Sequence, residues 1–324
     1  MTAPAGWPSK PRRWHAIVLA VKLTLLALVC YFVGRELLRR FAEVDWAHFD
    51  PQPGWLVLAA TAMAAAWGLF AVSFRLLLGG LTDRVPPWSL MPGIAFTPQL
   101  GKYVPGKIAS IAGAVWLLRR CGLRGAAATA GILLQTGLGT ALGLLTAVPL
   151  TLWPPVANRL PGAWLWCGLL VAAGLTLLHP RVFEALLNRA LRLAGREPLT
   201  LLPRLGRYFQ AAGVLLGHWA LMGLALFLAC RAFADVPLGW LPVLIAAAGL
   251  SATVGFLALF APAGLGVREA ILLVVLSGVL SETDAALVTV AMRLLSILVE
   301  VGLGLAGLVS LRALPPADSP ASAG

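Results

Sequence analysis

Apolar residues fill this chain in long blocks rather than in alternation. Stretches near 16–34, 54–78, 125–149, 162–179, 209–230, 240–260, 266–281 and 285–311 carry few charges and are separated by basic, acidic or Pro/Gly-rich segments. A hydrocarbon core of about 30 Å takes roughly 20 helical residues to cross. The pattern predicts an all-α polytopic membrane protein of about eight transmembrane helices. Two stretches interrupt it, Thr97-Pro98-Gln99-Leu100-Gly101-Lys102-Tyr103-Val104-Pro105-Gly106-Lys107 and Ala261-Pro262-Ala263-Gly264-Leu265-Gly266-Val267-Arg268-Glu269. Charge and helix breakers at bilayer depth are tolerated only beside protein or a watery cavity, so these segments predict a polar path through the membrane.

Composition agrees with a membrane class: 60% of residues are hydrophobic and 12% charged, with a mean hydropathy of +0.88. In a soluble chain the net charge of +12 would point to nucleic acid. Here the basic residues gather in a few interhelical loops, as the positive-inside rule expects, and nucleic acid is not an expected partner.

Those loops set the orientation. Lys10, Arg12 and Arg13 predict a cytoplasmic N-terminal tail over residues 1–14, followed by a first helix that is retained rather than cleaved, with Lys22 snorkelling to the headgroups. The loop from Arg35 to Asp50 balances its charges and is expected outside. The loop from Arg181 to Arg207 sets six arginines against two glutamates, net +4, and is expected inside. The acidic link Ser281-Glu282-Thr283-Asp284 fits the outside, and both termini are then cytoplasmic.

Residues 93–118 depart from simple crossing. Arg75 and Arg84 precede them and Arg119, Arg120 and Arg124 follow, so both flanks have the cytoplasmic signature. Pro98, Gly101, Pro105 and Gly106 divide the stretch into arms of about 15 to 18 Å, each reaching half-way across. A re-entrant hairpin with Lys102, Tyr103 and Lys107 at its tip is expected. The second break, over 261–281, precedes an apolar run of marginal length, expected as a short or partly re-entrant helix with Phe260 near the cytoplasmic side. Matching interruptions in two halves point to a transporter's binding site, although no residue-level repeat accompanies them.

Gly101-Lys102-Tyr103-Val104-Pro105-Gly106-Lys107, Pro262-Ala263-Gly264-Leu265-Gly266-Val267-Arg268-Glu269-Ala270 and Phe74-Arg75 together resemble the flippase-like membrane domain of the lysylphosphatidylglycerol synthases and their stand-alone relatives, over roughly residues 15–312. The resemblance implies a bacterial inner-membrane protein that moves lipids or lipid-linked headgroups between leaflets. After Arg312 only residues 313–324 follow, a Pro/Ala/Ser tail expected to be disordered, so the family's soluble aminoacyl transfer is not carried over.

The chemistry of the motifs leads to lipid handling on its own terms. A lysine at the bilayer centre costs about 2.5 to 3.5 kcal/mol, a cost that an anionic phosphate would offset. The helix restarting after Pro105-Gly106 offers free N–H groups beside Lys107, and Gly101 and Gly106 admit close backbone approach. Arg268 at the start of the later helix could clamp a phosphate in bidentate fashion. The expected binding residues are Lys102, Tyr103, Gly106, Lys107, Arg268 and Glu269, set against a plain alternative in which Lys102 snorkels and Arg268 and Glu269 pair structurally. Arg293 and Glu300 share one helical face and need partners elsewhere: Arg293 with Glu269, or Glu300 with Arg268 or a hairpin lysine, as gating or structural pairs.

Gln99, Gln135 and His218 are weaker polar candidates, while glycines in 137–143 and 302–307 favour close helix packing. Cys30, Cys121, Cys167 and Cys230 are scattered without metal-ligand spacing, and no catalytic triad, HExxH, P-loop or dinucleotide fingerprint occurs. The expected function is therefore non-enzymatic translocation of an anionic phospholipid or polyprenyl-phosphate-linked lipid, with no catalytic residue, metal or cofactor. The alternative is an accessory subunit of a glycosyltransferase or lipid-modifying enzyme, and a lesser one is an integral membrane transferase acting on a lipid-linked donor.

Overall fold

The computed structural model describes residues 52–103, 108–154, 162–193, 198, 203–258 and 261–314. The N-terminal tail, the expected first span at 16–34, Gly106, Lys107 and residues 315–324 lie outside the described residues. Among those described, every regular element is helical. The chain is an all-α polytopic membrane protein.

Helix α1 (Pro53–Leu81) opens on proline at its first helical position, where the missing N–H removes no bond. It packs along α8 (Leu205–Arg231). Two backbone hydrogen bonds fix this pair as antiparallel: Arg204 N–H donates to Gly80 O at 3.0 Å, and Gln52 N–H donates to Ala232 O at 3.0 Å. They also define the two ends of the molecule. Arg75, Arg84, Arg119, Arg120, Arg124, Arg204 and Arg207 gather towards the Gly80 end, while Asp235, Glu282 and Asp284 belong to the Gln52 end.

From the basic end the chain turns into α2 (Met91–Phe96) and the 3-10 turn Thr97–Tyr103, then leaves through α3 (Ile108–Arg120) back to the same end. Helices α4 (Gly125–Thr146) and α5 (Val148–Leu152) follow, then α6 (Ala163–Leu178), which bends by 90° into α7 (Pro180–Leu193). After α8 come α9 (Leu241–Leu257), the turn Pro262–Gly264, α10 (Val267–Leu276) and the long α11 (Glu282–Ser310). Ser281 caps α11 by accepting the Asp284 N–H at 3.0 Å, and Glu282 and Asp284 in its first turn complement the helix dipole.

Among the described residues, five stretches are long and apolar enough to cross a membrane, six if the bent α6–α7 pair forms one span. The expected span at 266–281 is shorter than a crossing. Its helix α10 holds 10 residues, about 15 Å, because Ser277–Leu280 turn the chain back at the acidic end. Part of the loop expected after residue 179 is helical, since Pro180–Leu193 has the periodicity of an amphipathic helix. The interior is lined with small residues that let backbones approach. A Cβ at Gly223 would strike the Ile245 backbone, and one at Gly174 would lie 3.1 Å from Ala141 O.

Candidate functional site

The second broken segment starts from the acidic end. Helix α9 runs inward from Leu241, the chain turns through Ala261–Gly266, and α10 returns to Ser277. Arg293, which touches the turn, lies about 18 Å along α11 from Ser281 at ~1.5 Å per residue, well away from the acidic end. The first broken segment enters from the opposite, basic end. Its 3-10 turn Thr97–Tyr103 contacts the Pro262–Gly264 turn, so the two interruptions meet inside the molecule.

Helix α11 joins them. Along one face it presents Thr289, Arg293, Ser296, Glu300, Gly304 and Gly307 at spacings of three or four. Thr97 Oγ1 donates to Gly304 O at 3.3 Å. A Cβ at Gly307 would come within 2.8 Å of Pro92 O, and one at Gly304 within 2.8 Å of Leu100. These glycines seat the first hairpin directly on the α11 backbone.

At the second turn, Arg293 Nη1 lies 3.3 Å from Glu269 Oε1, with side chains only 16% and 10% exposed. The other carboxylate oxygen, Oε2, accepts the Gly266 N–H at 2.6 Å and so caps the start of α10. Arg293 Nη1 also donates to Ala263 O at 3.4 Å. One guanidinium thus ties α11 to both sides of the break. Ala263 is held at φ 50°, a left-handed conformation uncommon for a residue with a Cβ. Gly264 is confined to glycine twice over: φ is 69°, and a Cβ would lie 2.9 Å from the Gly255 backbone. Arg268 lays its stem against Gly255 as α10 begins.

Ser251, Arg268, Glu269, Thr289, Arg293 and Ser296 line a cavity of ≈ 20 Å³, room for about one water molecule. The hydroxyls of Ser251 and Ser296 donate back to Ala248 O and Met292 O within their own helices, leaving lone pairs available. This volume is far below a phospholipid headgroup, so a lipid would need the turns to separate. Ser251, Thr289 and Ser296 escaped sequence reasoning. The signal for Thr289 and Ser296 was a hydroxyl stripe in register with Arg293 and Glu300; Ser251, on α9, carried none.

Of the expected site residues, the structure joins Glu269 to Arg293, and places Arg268 beside them. Glu300 is buried at 6% exposure, one turn from Gly304 where the first hairpin packs. Lys102 and Tyr103 close the 3-10 turn that touches the second break. Gly106 and Lys107 lie outside the described residues. Gln135 and His218 serve elsewhere: Gln135 Nε2 donates to Phe70 O at 3.2 Å, and His218 Nδ1 donates to Ala66 O at 2.8 Å, fastening α4 and α8 to α1. Arg75 stacks 4.4 Å from the Trp88 ring centroid and donates from Nε to Pro86 O, holding the entry to the first hairpin.

With this geometry in view, the family model of the lysylphosphatidylglycerol synthase TM region matches residues 17–304. The chain belongs to that family. The match includes both broken segments, the buried pair and most of α11, and gives the chain a lipid-related role in a membrane. Comparison with curated proteins gives no match.

Proposed function

We propose that the protein moves an anionic lipid or lipid-linked headgroup between leaflets without chemical turnover. One observation carries this reading: two Pro/Gly turns enter from opposite ends and meet beside a buried Glu269–Arg293 pair and the Arg268-bearing start of α10. Broken elements that converge at mid-depth are how transporters place polar groups in a membrane. A phosphate arriving there would meet the Arg268 and Arg293 guanidinium groups and the start of α10, and Lys102 and Lys107, the cations expected from the sequence of the first interruption, would add to this anion-binding site.

In the mechanism, contact between the turns closes the path. A headgroup entering from the basic end separates the first hairpin from the Pro262–Gly264 turn while its tails stay in lipid. Its phosphate competes with Glu269 for Arg293, which frees the second turn from α11. Separation on the acidic side then releases the headgroup into the other leaflet. The basic end faces the cytoplasm under the positive-inside rule, in a bacterial inner membrane with both termini inside.

The test reconstitutes the protein in liposomes carrying headgroup-labelled phosphatidylglycerol or polyprenyl-phosphate lipids and follows leaflet exchange. Exchange above that of empty vesicles, reduced at least tenfold in Lys107→Ala and Arg268→Ala, is expected; roughly 1.4 kcal/mol of lost phosphate binding suffices for that factor. Parent rates equal to empty vesicles would reject translocation of those lipids, and unaltered rates in both variants would reject the site. An accessory subunit of a lipid-modifying enzyme would instead bind its partner and leave exchange unchanged.

A further inference from the structure

Helix α7 has no part in the paired hairpins, yet its form is specific. It leaves α6 at 90°, so it runs across the direction of the spans. Its place along them is set by Tyr208, whose Oη donates to Leu178 O at 2.6 Å. Tyr208 lies one helical turn, about 5 Å, inward of the Arg204–Gly80 bond that marks the basic end. This sets the start of α7 close to the end of the spans where the arginines gather, the level at which an amphipathic helix lies in an interface plane.

The two faces of α7 differ as such a position requires. Val182 and Leu186 are 37% and 49% exposed on one side. Phe183, adjoining them, covers Gly137 of α4 where a Cβ would strike its ring, which pins the helix to the spans. Arg181, Arg189 and Arg192 are exposed on the edge adjoining Val182 and Leu186, with which they border one open groove, and Glu184 is the one acid, a net of +2 from three arginines against one glutamate. Asn188 lies on the same polar face, and its carbonyl accepts from Arg192 Nε at 3.3 Å. Acyl chains below and anionic headgroups above match both the open leucine and valine and the basic edge beside them.

From this position and these two faces we infer that α7 is an interfacial anchor. It lies in the headgroup plane at the basic end, with Val182 and Leu186 among acyl chains and Arg181, Arg189 and Arg192 holding anionic phospholipid headgroups. The surface is separate from the mid-depth site and stands whether or not the protein translocates lipid. It would enrich anionic lipid beside the spans.

The full chain with its native cysteines replaced is labelled with bimane at Leu186→Cys or Arg189→Cys, in nanodiscs of phosphatidylcholine and phosphatidylglycerol with brominated acyl chains. Leu186 bimane is expected to be quenched several-fold more than Arg189 bimane. In parallel, spin-labelled phosphatidylglycerol and phosphatidylcholine report which lipid the protein retains at its surface. Parent protein is expected to prefer phosphatidylglycerol, with the preference falling by up to about fivefold per arginine replaced in Arg181→Gln, Arg189→Gln and Arg192→Gln, singly and combined. The three Arg→Lys replacements should retain most of it, because they keep the charge. A Leu186 probe quenched by aqueous iodide rather than by brominated chains would overturn the anchor and assign this face to a soluble partner. Equal lipid preference in the parent and all Gln variants would overturn the headgroup contacts.

Discussion

Glu269 and Arg293 are two largely buried charges; each depends on the other and on the Gly266 and Ala263 backbone. Removing one partner leaves a buried charge uncompensated. Glu269→Ala and Arg293→Ala should each lower unfolding free energy by about 3–5 kcal/mol, whereas the joint Glu269→Gln, Arg293→Met variant should recover most of the loss. Thermal or denaturant unfolding in detergent distinguishes the cases, and equal loss in the double variant would show that the site does not rest on the pair. The neighbouring backbone gives a second contrast. Ala263→Gly relieves a left-handed alanine and should raise stability by roughly 1 kcal/mol, while Gly264→Ala forces a Cβ into the Gly255 backbone and should lower it. Both changes are read in the same unfolding assay.

Helix α11 shows how an element can be partly legible. Its apolar length marks a span, and Arg293 and Glu300 seven apart mark a polar face. The glycines at 302–307 mark close packing without saying which of them touch a neighbour. Position decides this: Gly307 faces Pro92 and Thr97, whereas a Cβ at Gly302 would meet nothing within 4 Å. Gly307→Ala should therefore destabilise by about 1–3 kcal/mol through overpacking. Gly302→Ala should be neutral or stabilising by up to ~1 kcal/mol from helix propensity. Melting temperatures of the two variants check the assignment. Helix α10 was less legible, because an apolar run over 266–281 looks alike whether it crosses or turns back, and only the turn at Ser277–Leu280 settles its length.

For the whole molecule, the opposed entry of the two broken segments makes a topological prediction. Impermeant thiol reagents should label Ser89→Cys and Arg119→Cys from one side of sealed vesicles, and Gly239→Cys and Ser281→Cys from the other; all four positions are exposed. Labelling of Ser89→Cys and Arg119→Cys from opposite sides would remove the first hairpin. Native Cys121 should interfere little, because burial pushes its thiol above the ordinary value despite the lowering effect of Arg120, leaving less thiolate at neutral pH.

The amino-acid sequence by itself determined the class, the long spans among the described residues and the position of both interruptions, because hydrophobic length and Pro/Gly breaks act locally and are written in consecutive residues. It also reduced the partners of Arg293 and Glu300 to a few choices, since buried charge in a membrane requires compensation. Only the tertiary structure chose Glu269 for Arg293, brought the Thr97–Tyr103 and Pro262–Gly264 turns into contact, and turned α7 across the spans. Those outcomes depend on helix depth, rotation and tilt, which are fixed by packing between elements far apart in the chain.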